Sequence, residues 1–277
     1  NHFLKRFLAM TIVDIISIAL IIILGVPHGS LDGVIARKLG WSKNLMEWIS
    51  FNVLYLSIAL VVIIIWSSLP FISLTIFLLI SGIHFGLSDI SSLSKDNKLT
   101  LLPLIAHAGL IPIALPTLQK DQVSSIFAAL SNDDHSALLI LIIENIFPFY
   151  IIIVSAYLIY SFYYMRWLKH SLALTCFIFI SNFLPALLTF SLYFCFWHSR
   201  GHMLRIWKSI DVSERTSYMI ETLSYTIVTW SLLAIAFFAL NDTFSTTLIK
   251  LVFIGLAALT VPHMILVDFW ANKRRVI

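Results

Sequence analysis

A chain of 277 residues with 60% hydrophobic side chains, only 12% charged ones and a mean hydropathy of +0.95 is too apolar for a water-soluble globule and reads as an integral membrane protein. The formal net charge of +4 and pI near 9.1 then belong to basic loops beside a bilayer, so nucleic acid is excluded as a partner. Cys176 and Cys195 both fall in apolar runs, which supports no disulfide framework and predicts two small buried hydrophobes.

The first apolar run, residues 11–26, imitates a secretory signal, but Pro27-His28-Gly29 follows it where a small-residue cleavage site would be needed. It is read as a retained span. Apolar runs long enough to cross a bilayer as helices recur near 7–27, 47–66, 70–88, 100–118, 145–164, 220–240 and 246–269. The stretch 171–206 is either one long helix or two short spans reversing near Asn182 to Pro185, because proline disfavours helix in the residue before it. The connector from Gln119 to Glu144 carries Asp121, Asp133 and Asp134 and has room for a short surface helix. No polar linker divides the chain, so residues 1–277 are expected to form a single transmembrane domain, all-α, a polytopic helical bundle.

Charge separates eight spans from nine. Lys and Arg in short loops concentrate on the cytoplasmic side. With nine spans, Arg37, Lys38, Lys43, Lys95, Lys98, Arg166, Lys169, Arg200, Arg205, Lys208, Arg215, Lys273, Arg274 and Arg275 share one side, leaving Lys5, Arg6, Lys120 and Lys250 opposite. With eight, the partition is ten against eight, which is no bias. Nine spans are therefore favoured, eight being the alternative, with the N-terminus outside and the C-terminus cytoplasmic in a multi-pass cell (inner) membrane protein.

The same topology brings histidines to one depth. His28 closes the first span, His84 the third, His198 and His202 the seventh and His263 the ninth, all toward the cytoplasmic ends; eight spans would put the last three across the membrane from His28 and His84. His198 and His202, four residues apart, lie on one helical face. An acid follows His28, His84 and His263 by four or five residues, making Asp32, Asp89 and Asp268 candidates to accept a second ring N–H from a metal-bound imidazole. Gly25, Gly29, Gly82 and Gly86 allow close backbone approach. Such a histidine set suits iron, copper, zinc or nickel by ligand type. The alternative for any one ring is a satisfied packing residue, and that reading is preferred for His107, with channel lining as its other role; His2, His135 and His170 read as surface or interfacial. Asp14 is placed near the outer interface. Phe85, Tyr193, Phe194, Phe196, Trp197 and Trp270 flank the histidines as candidate walls of an apolar cavity, with Phe85, Tyr193 and Trp197 the chosen substrate-pocket residues; membrane-core packing is the competing explanation.

Taken together, PHGSLDG at 27–33, HFGLSD at 84–89, FWHSRGH at 196–202 and PHMILVD at 262–268 resemble the Brp/Blh family, bacterial and archaeal multi-pass membrane proteins that cleave β-carotene at its central double bond to give retinal. The resemblance spans nearly the whole chain. It implies an iron-dependent oxygenase, a β-carotene 15,15'-dioxygenase, acting on β-carotene and O2 at a non-haem Fe(II) centre, with His28, His84, His198 and His202 as iron ligands and catalytic residues and His263 as an extra ligand or lining residue. It also implies a bilayer-borne substrate and a functional link to a retinal-binding rhodopsin. Two other classes use histidines in helical bundles: a membrane desaturase or hydroxylase, which generally needs about eight for two metals, and a non-enzymatic haem-binding or transport protein.

Overall fold

The computed structural model describes residues 10–41, 44–93, 100–131 and 135–271. Lys5, Arg6, Lys43, Lys95, Lys98, Lys273, Arg274 and Arg275, on which part of the charge argument rests, lie outside the described residues, as do His2, Asp133 and Asp134. Helices follow one another with short turns: α1 (Ile12–Lys38), α2 (Leu45–Ser68), α3 (Pro70–Asp89), α4 (Leu101–Leu118), α5 (Lys120–Ser131), α6 (Ser136–Tyr163), α7 (Met165–Ser181), α8 (186–208), α9 (Val212–Ala239) and α10 (Phe244–Ala271). No strand occurs among the described residues. Seven of these, α1 to α4, α6, α9 and α10, are long and apolar enough to cross a membrane. The chain is thus the all-helical membrane protein its composition demands. Large apolar side chains such as Val53, Leu60 and Ile64 on α2 and Ile235 and Phe238 on α9 point outward, where lipid rather than water is their solvent.

The helices pack as two compact units, one from Asn1–Pro70 with Ser191–Ile277, the other Phe71–Phe190. In the first, α1 is not a continuous α-helix. It runs as α-helix to Leu20, widens to a π-turn over Ile21–Gly25, tightens to 3-10 over Val26–Leu31 and resumes α at Asp32. Pro27 explains the sequence of states. In the π-turn the Val26 N–H reaches back to the Ile21 carbonyl, so in the same register the Ile22 carbonyl would need the N–H of Pro27, which does not exist. The indole N–H of Trp230, on α9, donates to that carbonyl instead at 2.9 Å. Close contact with α8 is possible because residue 25 is glycine: a Cβ there would lie 2.4 Å from the Phe194 ring. At the other end of α1, Arg37 grips Glu221 through two bonds of 2.8 and 3.2 Å. Asp14 belongs to a capping box, its carboxylate accepting from the Thr11 N–H at 2.9 Å while Thr11 Oγ1 accepts from the Asp14 N–H.

In the second unit, α3 and α4 touch through glycines. A Cβ on Gly82 would sit 2.6 Å from the Ala108 carbonyl oxygen and one on Gly86 2.9 Å from that of Leu104. Buried Tyr150 of α6 lies against Gly109 and donates to the Ala106 carbonyl at 2.8 Å. The connector after α4 does hold a short helix, α5, whose Val123, Ile126, Phe127 and Leu130 are buried while Lys120 pairs with Glu144 at its polar edge. The stretch 171–206 is broken where proline predicts. α7 ends at Ser181, a turn follows, and α8 starts at Ala186. Side chains from the α4–α5 junction hold both sides of the break: Gln119 donates to the Ser181 carbonyl at 2.8 Å, and Gln122 accepts from the Ala186 N–H at 2.8 Å. Of the cysteines, Cys195 is buried as expected, but Cys176 is exposed, because it falls on an outward face of α7.

The α3–α4 contact leads to a paired stability test. Gly82→Ala should destabilise the protein by about 1–3 kcal/mol, because the obstacle is a backbone carbonyl that cannot rotate away, whereas Gly255→Ala, whose Cβ would meet its nearest neighbour at an ordinary 3.6 Å, should be neutral or slightly stabilising. Thermal unfolding of both variants in detergent micelles checks this.

Candidate metal centre

Two histidines of the first unit sit in its non-α turns, and two sit in regular helix close to one. His28 lies in the 3-10 segment of α1, His198 in a π-turn over Tyr193–Ser199 of α8, His202 one turn later, and His263 two residues before a π-turn over Ile265–Ala271 of α10. Such turns displace side chains from the face a regular helix would give them, and they recur at functional sites. All four rings are at most 8% exposed. They converge: the His28 centroid lies 5.6 Å from His198, 6.0 Å from His202 and 5.3 Å from His263, and His202 lies 5.1 Å from His263. Four imidazoles from three helices therefore lie together, with His28 beside the three rings that an eight-span count would set across the membrane from it.

Hydrogen bonds set the tautomer of two of the rings. His28 Nδ1 is bonded to the Gly25 carbonyl one turn earlier and lies 3.2 Å from Ser199 Oγ. A carbonyl only accepts, so Nδ1 carries the proton and Nε2 the lone pair. His263 Nδ1 lies 2.7 Å from Asp32 Oδ1, with the same consequence. Asp32 thus serves the histidine of the fourth motif and not its own neighbour, whose Nδ1 already has the Gly25 carbonyl. The other carboxylate oxygen of Asp32 accepts from the Tyr55 hydroxyl at 2.7 Å. Tyr55, on α2, was missed by the sequence reading because it belongs to no histidine motif; its only signal was a lone tyrosine in an aliphatic run.

Aromatic rings close the cluster. Phe194 stacks on His198 at 6.0 Å and meets His28 edge-on at 5.2 Å. Tyr193, fully buried, stacks on partly buried Trp197 at 6.4 Å. Two of the aromatics read as cavity walls take other places: Phe196 is half exposed, and Trp270 packs on Trp41 at 4.6 Å. Asp268 lies on the π-turn following His263, whose Nδ1 is occupied by Asp32.

His84 and Phe85 belong to the second unit, both buried on α3 with centroids 6.0 Å apart. There Asp89 accepts from His107 Nδ1 at 3.2 Å, and the His107 ring meets that of Tyr157 at 5.8 Å. His107 is therefore a carboxylate-held buried residue rather than a channel-lining one. His135 is exposed beside Phe71, and His170 lies 3.4 Å from Ser92, as polar-edge positions for both would have it.

Among the described residues, no group of three or more His, Cys, Asp or Glu side chains is arranged to hold a metal ion. The rings of the first unit nevertheless come close to what one demands. With metal–nitrogen bonds of about 2.1 Å, rings sharing a metal have centroids about 4.6–5.2 Å apart for ligand angles between right and tetrahedral. The observed 5.1 to 6.0 Å is up to about an ångström wider. The donor set fits a first-row metal by kind: neutral imidazoles, two of them with the tautomer already fixed to present Nε2.

An all-helical membrane protein with imidazoles gathered into one cluster from its first, eighth and tenth helices is the class these observations define. The sequence profile of the family described as Beta-carotene 15,15'-dioxygenase matches residues 19–271. A relative of that name from Uncultured marine bacterium 66A03 is 35% identical over 268 residues, covering 95% of each chain. The chain belongs to the Beta-carotene 15,15'-dioxygenase family. No solved structure matches it.

The Asp89–His107 pair gives a test separate from any metal. Asp89→Ala leaves a buried imidazole N–H without this acceptor and should cost roughly 1–3 kcal/mol, while Asp89→Asn, which keeps a carbonyl oxygen, should cost less. Unfolding midpoints of the two variants in micelles decide the order.

Proposed function

We propose that the protein cleaves β-carotene at its central double bond with O2, yielding two molecules of retinal, at a non-haem Fe(II) centre within a cell (inner) membrane. The observation that carries this reading is family membership across residues 19–271, joined to the convergence of motif histidines that such chemistry would use. His28, His198 and His202 would hold the iron, with His84 added on the strength of the family resemblance. When bound, Fe(II) supplies a reducing centre with coordination positions open to O2.

The remaining work falls to the chain. The Gly25 carbonyl and Ser199 hydroxyl hold the His28 ring in the tautomer that offers Nε2 inward. Phe194, packed on two of the imidazoles, keeps water from them, and Tyr193 with Trp197 presents flat aromatic faces suited to a conjugated polyene. No nucleophile or general base is required of the protein; orientation of one double bond among many in the polyene is the demand, and a shaped apolar wall meets it. A bilayer-embedded site matches a substrate that partitions into hydrocarbon. Retinal released there is available to a retinal-binding rhodopsin. The excess of basic residues on one side supports an external N-terminus and a cytoplasmic C-terminus.

Expression in β-carotene-accumulating cells should deplete the pigment and produce retinal; unchanged pigment with folded, iron-loaded protein present refutes the reading. His198→Ala and His202→Ala should each bring retinal to background while the protein remains membrane-inserted, as extraction and immunoblotting would register. Chelation of the purified protein should abolish turnover, and Fe(II) should restore it where Zn(II) does not; activity that survives complete iron removal counts against the iron centre.

A further inference from the structure

Tyr55, Asp32 and His263 form a chain of hydrogen bonds across three helices, and nothing in the family resemblance gives Tyr55 a part. The carboxylate at its centre is 3% exposed and both its oxygens are used, Oδ1 by His263 Nδ1 at 2.7 Å and Oδ2 by the Tyr55 hydroxyl at 2.7 Å. The same hydroxyl oxygen is 3.3 Å from the carbonyl of Leu259, one turn before His263 on α10. Asp32 is thereby held from α2, and the His263 ring is held from α1. His107 is held by Asp89 in a similar way, but only the carboxylate that holds His263 is itself fixed by a phenol, and only His263 stands beside other imidazoles. The ring so held lies 5.1 Å from His202 and 5.3 Å from His28. A carboxylate on one ring nitrogen is the standard means of orienting an imidazole whose other nitrogen binds a metal.

We propose that His263 is a ligand of the same metal as His28, His198 and His202, and that Tyr55 and Asp32 are its positioning residues. The inference rests on the iron reading above. It adds α10 and, through Tyr55, α2 to the elements that build the centre.

Cobalt(II) binding to the purified full-length protein, followed by its d–d absorption and by stoichiometry, tests it without turnover. His263→Gln keeps the volume and a donor for Asp32 but removes the imidazole; it should shift the d–d bands and weaken cobalt binding at least ~10-fold. Tyr55→Phe should weaken binding about 10-fold with the bands little changed. Combined with His263→Gln, it should have no further effect, because its influence passes through the imidazole. Wild-type affinity and spectrum in His263→Gln overturn the proposal, as does an equal loss from Tyr55→Phe whether or not His263 is present, which is the mark of a general structural role. Failure of the wild-type protein to bind cobalt or iron refutes the metal centre itself, and this inference with it; metal binding that ignores His263 refutes only the inference.

Discussion

A carboxylate almost sealed inside an apolar bundle is tolerable only when its oxygens are occupied, and the packing of the histidine-bearing unit runs through the one at Asp32. Its two bonds join α1 to α2 and α10. The position is possible because α1 resumes regular helix at Asp32 after the 3-10 segment, so the side chain leaves the helix at a point set by Pro27 five residues earlier. Lengthen or shorten that distorted stretch by a residue and the carboxylate rotates by about 100°, away from both partners. The proline in the first motif and the acid that ends it are thus one device.

The same accounting governs the backbone. In lipid a carbonyl released from the helical ladder has no water to turn to. Around the π-turn of α1 three carbonyls are met by side chains: Leu20 by Cys195 Sγ at 3.3 Å, Ile22 by the Trp230 indole, and Gly25 by His28 itself. The last of these orients a ring of the histidine cluster. Ser30 is drawn in as well, accepting from the Thr226 hydroxyl at 2.9 Å. Local irregularity and the site have a common cause, and side chains from α8 and α9 answer the irregularity.

What could be read from the sequence followed from properties that survive without coordinates. Apolar run length requires helices, and histidines that recur at one end of alternate spans require a common depth; both depend only on periodicity and the bilayer. The partners of those histidines were not legible. An acid four residues after a histidine suggests a local pair on one helical face, yet Asp32 crosses to His263 and Asp89 to His107. The reason is physical: the turn between His28 and Asp32 is 3-10, not α, so the i to i+4 relation does not put them on one face, and His28 had already found a nearer acceptor. Tyr55 was invisible because its importance comes from where α2 lies against α1 and α10, which spacing within a chain does not report. Of the glycines read as sites of close approach, Gly25, Gly82 and Gly86 are such sites, whereas a Cβ on Gly29 would meet nothing within 4 Å, so that reading fails there.

Whether His198 and His202 could ever meet His28 depended on the interruption before Pro185. An unbroken helix over 171–206 would be about 54 Å long, against a hydrocarbon core of about 30 Å, and it would carry the pair far past the level at which it entered. Proline alone does not end such a helix, since α6 runs through Pro148 and α10 through Pro262. What ends it here is that the groups exposed by the break are answered: the Ser181 carbonyl and the Ala186 N–H each find a glutamine from the α4–α5 junction. Gln119 and Gln122, two polar residues that composition and hydropathy treat as incidental, thus hold the two ends of the break.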